Sequence, residues 1–168
     1  MSSPKNPPRR LADLVRPHKL IVPEPEPHVV AQVTIADLIA EFRLTGADKR
    51  ITEANFPTNG APAHLSEMRL LTQEYILGSS NLTTDKIMRA FVGRGYRFAN
   101  LTDVLHYAKW MWNGKDLVVG LGSSWVDPGD HRYVPCLYGG DDDRQLCLYW
   151  DKPEGEWRAD YSFLVIRK

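Results

Sequence analysis

The chain has 168 residues and balances 21 basic against 21 acidic side chains. Apolar residues make up 43% and charged residues 25%, near the averages of globular domains. These totals exclude a strongly basic nucleic-acid binder, a wholly disordered chain and a disulfide-packed miniprotein.

The averages conceal an uneven distribution. Seven of the twelve prolines lie in the first 27 residues, and all five tryptophans lie between Trp110 and Trp157. Residues 1–33 read as a flexible, Pro-rich arm, because proline removes a backbone donor and disfavours helix in the residue before it. PEPEP at 23–27 is expected to be extended and polyproline-like. Up to position 19 the arm sets Lys5, Arg9, Arg10, Arg16 and Lys19 against Asp13 alone, a net +4. Residues 1–30 are open to two readings, a solvated tail or a latch for an acidic partner or assembly neighbour. From Gly114 onward, seven basic side chains face ten acidic ones. The neutrality of the whole is therefore a cancellation between its ends.

MSSPKNPPRR is basic, but no apolar segment follows it, so no secretory signal is expected. A virion or the cytoplasm is then the compartment open to the chain. No apolar run of about 18 residues occurs, so no membrane span is expected.

Residues 34–64 read as a helix and a connector. In TIADLIAEFRL, Ile35, Leu38, Ile39 and Phe42 follow the i, i+3, i+4, i+7 spacing of one apolar stripe. Thr34 is the expected cap, with Asp37 completing a capping box, and Gly46 the expected stop. Residues 64–77 fit a strand or a helix. TTDKIMRAFVGRG at 83–95 predicts a helix capped by Thr and ended by Gly. LTDVLHYAKWMW at 101–112 predicts another, with Thr102 as cap and Leu101, Val104, Leu105, Ala108 and Met111 buried. His106 lies beside that stripe, as a boundary residue.

Four β-rich segments follow, at 116–125, 131–138, 144–150 and 161–168, separated by VDPGD, GGDDD and DKPEGE. Their short connections predict an antiparallel sheet and an α+β domain. A turn across GGDDD sets Leu137 opposite Leu146, Cys136 opposite Cys147, Tyr138 opposite Gln145 and Val134 opposite Tyr149. Alternation then gives two faces. Leu137, Leu146, Leu148 and Trp150 form the expected core face. Val134, Cys136, Tyr138, Gln145, Cys147 and Tyr149 form the expected binding face, mixing aromatic, thiol and polar groups.

The residues assemble no catalytic signature. VVGLGSSW lacks GxGxxG, and Ser123 and Ser124 sit in no GxSxG elbow. Asp141, Asp142 and Asp143 are consecutive, unlike the alternating acids of a calcium loop. Two cysteines and scattered histidines do not make a zinc site. No enzyme activity, metal or cofactor is expected.

The order of a strand, two helices and four strands, closing on a strand, resembles the C-type-lectin-like fold. RGYRFANLTDVL, VVGLGSSW, VPCLY, LCLYW and WRADYSFLVIRK, taken in this order, resemble the variable proteins of diversity-generating retroelements. The resemblance covers residues 65–168. It implies that the first and last strands, about 66–72 and 161–168, pair. It further implies a rigid scaffold whose exposed residues are diversified to bind a variable macromolecular ligand, a protein, and not nucleic acid. Trp125, Leu146, Leu148, Trp150, Phe163 and Leu164 match scaffold positions. Tyr138, Gly139, Gln145, Cys147, Tyr149, Asp151, Glu156, Arg158 and Asp160 match diversified ones, with Trp157 among them. Neither a Glu-Pro-Asn nor a Trp-Asn-Asp motif is present, so calcium-dependent sugar binding is not expected. The alternative function is a structural or assembly protein, such as a virion component, using the N-terminal arm.

Overall fold

A computed structural model describes residues 34–168, apart from 43, 58–60, 79–80, 92 and 141. The expected arm, residues 1–33, lies outside the described residues. Among those described are four α-helices, a short 3-10 turn and eight strands, an α+β arrangement.

Helix α1 (Ile35–Glu41) begins as its residues dictate: Thr34 and Asp37 form a reciprocal capping box. Its end differs from expectation. Phe42 leaves the helix in extended conformation, and Gly46 lies in strand β1 (Gly46–Ala47) instead of stopping the helix. The ambiguous stretch uses both periodicities in turn. It gives β2 (Met68–Thr72) and then α2 (Gln73–Leu77), capped by the Thr72 side chain. Helix α3 (Thr84–Ala90) starts at Thr83 as predicted, and β3 (Tyr96–Phe98) follows.

Helix α4 (Leu101–Trp110) is capped by Asn100, with Asp103 reaching back to complete the box. Thr102, the expected cap, is instead inside the helix and buried. The predicted buried side of α4 is met by Leu101, Val104, Leu105 and Ala108, but Met111 is exposed and Trp112 takes its place inside.

The expected strand at 116–125 is shorter. It comprises β4 (Leu117–Val119), a bend, and the separate β5 (Trp125–Val126). The bend needs glycine: a Cβ on Gly122 would collide with the backbone of Phe98 and Ala99. Strands β6 (Arg132–Gly139), β7 (Arg144–Trp150) and β8 (Tyr161–Arg167) agree closely with the sequence reading.

All eight strands join one sheet, ordered β1-β7-β6-β4-β8-β2, with β3 added beside β8 and β5 beside β6. The hairpin register is the expected one: Leu137 faces Leu146, Cys136 faces Cys147, Tyr138 faces Gln145 and Val134 faces Tyr149. β2 pairs antiparallel with β8 over Met68–Thr72 and Ser162–Ile166. The sheet is nonetheless mixed, because β4 runs parallel to β8 and β1 parallel to β7.

Both sheet faces are covered. One carries Val118, Leu137, Leu146, Leu164 and Ile166 against Ile35 and Phe42 and against Leu101, Leu105 and Ala108 of α4. Arg144 fastens this side, its guanidinium 4.8 Å from the Trp112 ring and donating to the carbonyls of Ala108 and Trp112 at the C-terminal end of α4. The other face carries Val119, Val134, Cys136, Phe163 and Val165 against Ile76 of α2 and Ile87 of α3.

Candidate functional site

The second face of the hairpin is therefore not an open surface throughout. Its middle is a second core. Val134 and Cys136 are buried, and Cys147 and Tyr149 pack partly against that core. The end near the GGDDD turn is open. There Tyr138 is 53% exposed, and Gln145, opposite it, is half-buried and donates to Asp143 at 3.0 Å. Thr45 and Gln145 hold the Asp143 carboxyl below the usual carboxylate range.

An aromatic floor continues this face toward the last loop. Tyr149 lies 4.6 Å from the Trp157 ring and 5.2 Å from that of Tyr161. Trp157 also meets Phe163 edge-on, at 5.4 Å. Burial, then the neighbouring Tyr149, pushes the Tyr161 hydroxyl up to about 12. A small pocket of about 210 Å³ opens beside this floor, between Tyr149, Trp150, Lys152 and Glu156.

The loop from Asp151 to Asp160 is pinned from beneath by three buried polar groups. Gln73, 1% exposed, donates through Nε2 to the carbonyls of Trp157 and Arg158, at 3.1 and 2.6 Å, and accepts from the Leu82 amide at 2.8 Å. Thr84 accepts from Trp157 Nε1 at 2.8 Å and donates to Asp151. Asp151 also meets Arg132 at 3.3 Å. Trp157 pairs its backbone amide with the Leu82 carbonyl, and Glu156 bridges to Thr83. Every buried polar atom named here is satisfied, which is the condition for such a network to stabilise a single geometry.

The candidate contact positions divide accordingly. Tyr138, Glu156, Arg158 and Asp160 are exposed, and Arg158 pairs with Asp160 at 2.7 Å. Gln145, Cys147 and Tyr149 are half-buried. Asp151 is corrected: its carboxylate is 5% exposed and committed internally, so it is a frame residue. Trp157 is corrected in the same way, at 2% exposed. Gly139 is corrected too, because a Cβ there would collide with the Gly114 carbonyl oxygen. Among the expected scaffold residues, Leu146, Phe163 and Leu164 are buried, whereas Trp150 is 41% exposed, with Lys152 over its ring at 4.5 Å. Trp125 is half-buried and stacks on Tyr133 at 5.6 Å.

Sequence reasoning missed Tyr161, Gln73 and Thr84. Tyr161 continues the alternation of β8 and was open to detection. Gln73 and Thr84 act on residues more than 60 positions away, and no local pattern signals that.

Among the described residues, no group of three or more His, Cys, Asp or Glu side chains is placed to hold a metal ion. Among them, too, no helix is long and apolar enough to cross a membrane. No family model matches the chain, and no curated protein or solved structure matches it.

Proposed function

We propose that the chain is a non-catalytic ligand-binding protein that displays a diversifiable surface on a C-type-lectin-like scaffold, as the variable proteins of diversity-generating retroelements do. The observation that carries this reading is the contrast within one short loop. Asp151 and Trp157 are locked inward by Thr84 and Gln73, while Glu156, Arg158 and Asp160 point outward beside them. A loop held by its buried side chains tolerates change at its exposed ones, since substitutions away from caps, cores and networks usually move stability by no more than about 0.5 kcal/mol.

The fold reading is supported by the pairing of β2 with the final strand and by the helices between β2 and β4. The ligand reading is supported by the side chains on offer. Tyr138 supplies a large, stiff contact, and Glu156, Arg158 and Asp160 supply adaptable polar groups, the mixture that suits protein ligands.

Sequencing the DNA around the coding region tests the proposal. A near-copy of the segment encoding residues 135–165, differing at adenines and lying beside a reverse transcriptase gene, is the expected result. A locus without such a copy overturns the retroelement reading.

A further inference from the structure

Cys136 and Cys147 face each other across β6 and β7, and both are free thiols. The kind of pair they form follows from the bonds at the two ends of the hairpin. The Gly140 amide donates to the Asp143 carbonyl at 2.8 Å, and the Asp151 amide donates to the Arg132 carbonyl at 2.9 Å. The register between them is unbroken. In an antiparallel ladder, hydrogen-bonded pairs recur at every second residue, which makes Cys136–Cys147 a hydrogen-bonded pair. Such a pair holds its Cα atoms about 5.5 Å apart. A disulfide spans Cα separations of roughly 4.4–6.8 Å.

Both side chains leave the sheet on the same face, and Cys147 Sγ lies 3.4 Å from the Cys136 carbonyl oxygen, to which it donates. Cys136 is 4% exposed, while Cys147 is only half-buried. Cys147 is therefore the more accessible residue of the two. The neighbouring Cys147, and then burial, keep Cys136 protonated, and the contact with Cys136 lowers Cys147, so Cys147 is the thiol that ionises first.

We infer that Cys136 and Cys147 form a reversible dithiol–disulfide site, oxidised by low-molecular-weight disulfides of the RSSR class. The Cys147 thiolate attacks one sulfur of RSSR, forming a mixed disulfide and releasing RS⁻, which takes up a proton as RSH. Cys136 then loses its proton and attacks the Cys147 sulfur. This closes the protein disulfide and releases the second RSH. The two protein thiols together give up two electrons and two protons, and RSSR is reduced to two RSH. Closure draws Cys147 Sγ off the Cys136 carbonyl, next to Tyr149 on the same strand, so the aromatic floor reports the redox state. The inference rests on the hairpin geometry and not on the ligand-binding proposal.

The test equilibrates the full chain with glutathione at graded ratios of disulfide to thiol, quenches by alkylation and weighs the intact protein. The expected result is one concerted transition, from two alkylated cysteines to none, in monomer that has lost two hydrogens. Near-ultraviolet circular dichroism in the tyrosine region is expected to change over the same ratios. Cys136→Ser is expected to arrest as a stable glutathione adduct on Cys147, and Cys147→Ser to leave Cys136 unmodified. Wild-type protein that stays fully alkylatable, or that accumulates glutathione adducts or cross-linked dimers instead of the internal bond, overturns the inference.

Discussion

Trp157 donates its indole Nε1–H to Thr84 Oγ1 at 2.8 Å, and the same hydroxyl donates onward to the buried carboxylate of Asp151. One small side chain at the start of α3 thereby holds two points, Asp151 and Trp157, of a loop that lies more than 60 residues later. The relationship ties helix to loop beside the Thr83–Glu156 bridge and the bond from the Trp157 amide to the Leu82 carbonyl.

Thr84→Val removes an acceptor and a donor together while keeping the volume. It leaves the Trp157 indole unpaired and takes one partner from Asp151. Each buried polar group left without its partner costs about 1–3 kcal/mol. At roughly 2–4 °C per kcal/mol for a chain of this size, melting is expected to fall by several degrees. Thr84→Ser is expected to recover most of the loss. Equal melting of the Val and Ser variants in calorimetry would remove the hydroxyl from the account.

Asp103 is fully buried and accepts four bonds: from Arg97 Nη1 at 2.6 Å and Nη2 at 3.3 Å, from the Ala63 amide at 2.8 Å and from the Asn100 amide at 3.0 Å. It caps α4 and ties down the connector at the same time. Asp103→Ala is expected to cost about 1–3 kcal/mol in chemical denaturation, because it leaves the Ala63 and Asn100 amides without their acceptor while the partly exposed Arg97 turns to solvent. Asp85→Ala, which breaks the exposed Arg89–Asp85 pair, is expected to cost under about 1 kcal/mol and serves as the control.

Tyr161 titrates late, its hydroxyl raised from 10.0 to about 12 by burial and by Tyr149. The folded state thus keeps a proton that the unfolded chain gives up. The stability this represents is complete below the unfolded value and is lost as pH rises through the folded one. Phenolate absorbance is expected to contain a late transition near the alkaline limit that Tyr161→Phe removes. Tyr161→Phe is expected to flatten the decline of stability between about pH 10 and 12. An unchanged alkaline decline in that variant contradicts the assignment.

How much of this was legible beforehand varies by element. The hairpin register followed from alternation around GGDDD, because a one-residue slip would exchange the two faces and take Leu137 and Leu146 out of the core they share. The α1 cap followed from Thr34 and Asp37. The covering of the second face did not follow. Cys147 and Tyr149 alternate in the same way whether solvent or a helix lies above them. The parallel pairing of β4 with β8 joins segments some forty residues apart, beyond the reach of any local pattern. Asp151 reads as one more surface charge until Thr84 and Arg132 are placed beside it. Gly139 reads as a diversified position until the Gly114 carbonyl is seen against it. Tyr138, Glu156, Arg158 and Asp160, which the resemblance offers as diversified positions, are exposed, and the buried network beneath them was not legible.

The account's central claim is a division between an adaptable surface and a fixed frame within residues 138–160. Single substitutions to all amino acids across this segment, displayed and scored by protease resistance, test it most directly. The predicted result is that most changes at Tyr138, Glu156, Arg158 and Asp160 stay within about 0.5 kcal/mol of the parent, while most at Gly139, Asp151 and Trp157 cost more than about 2 kcal/mol. Outward positions as intolerant as Trp157, or free substitution at Asp151 and Trp157, would contradict it.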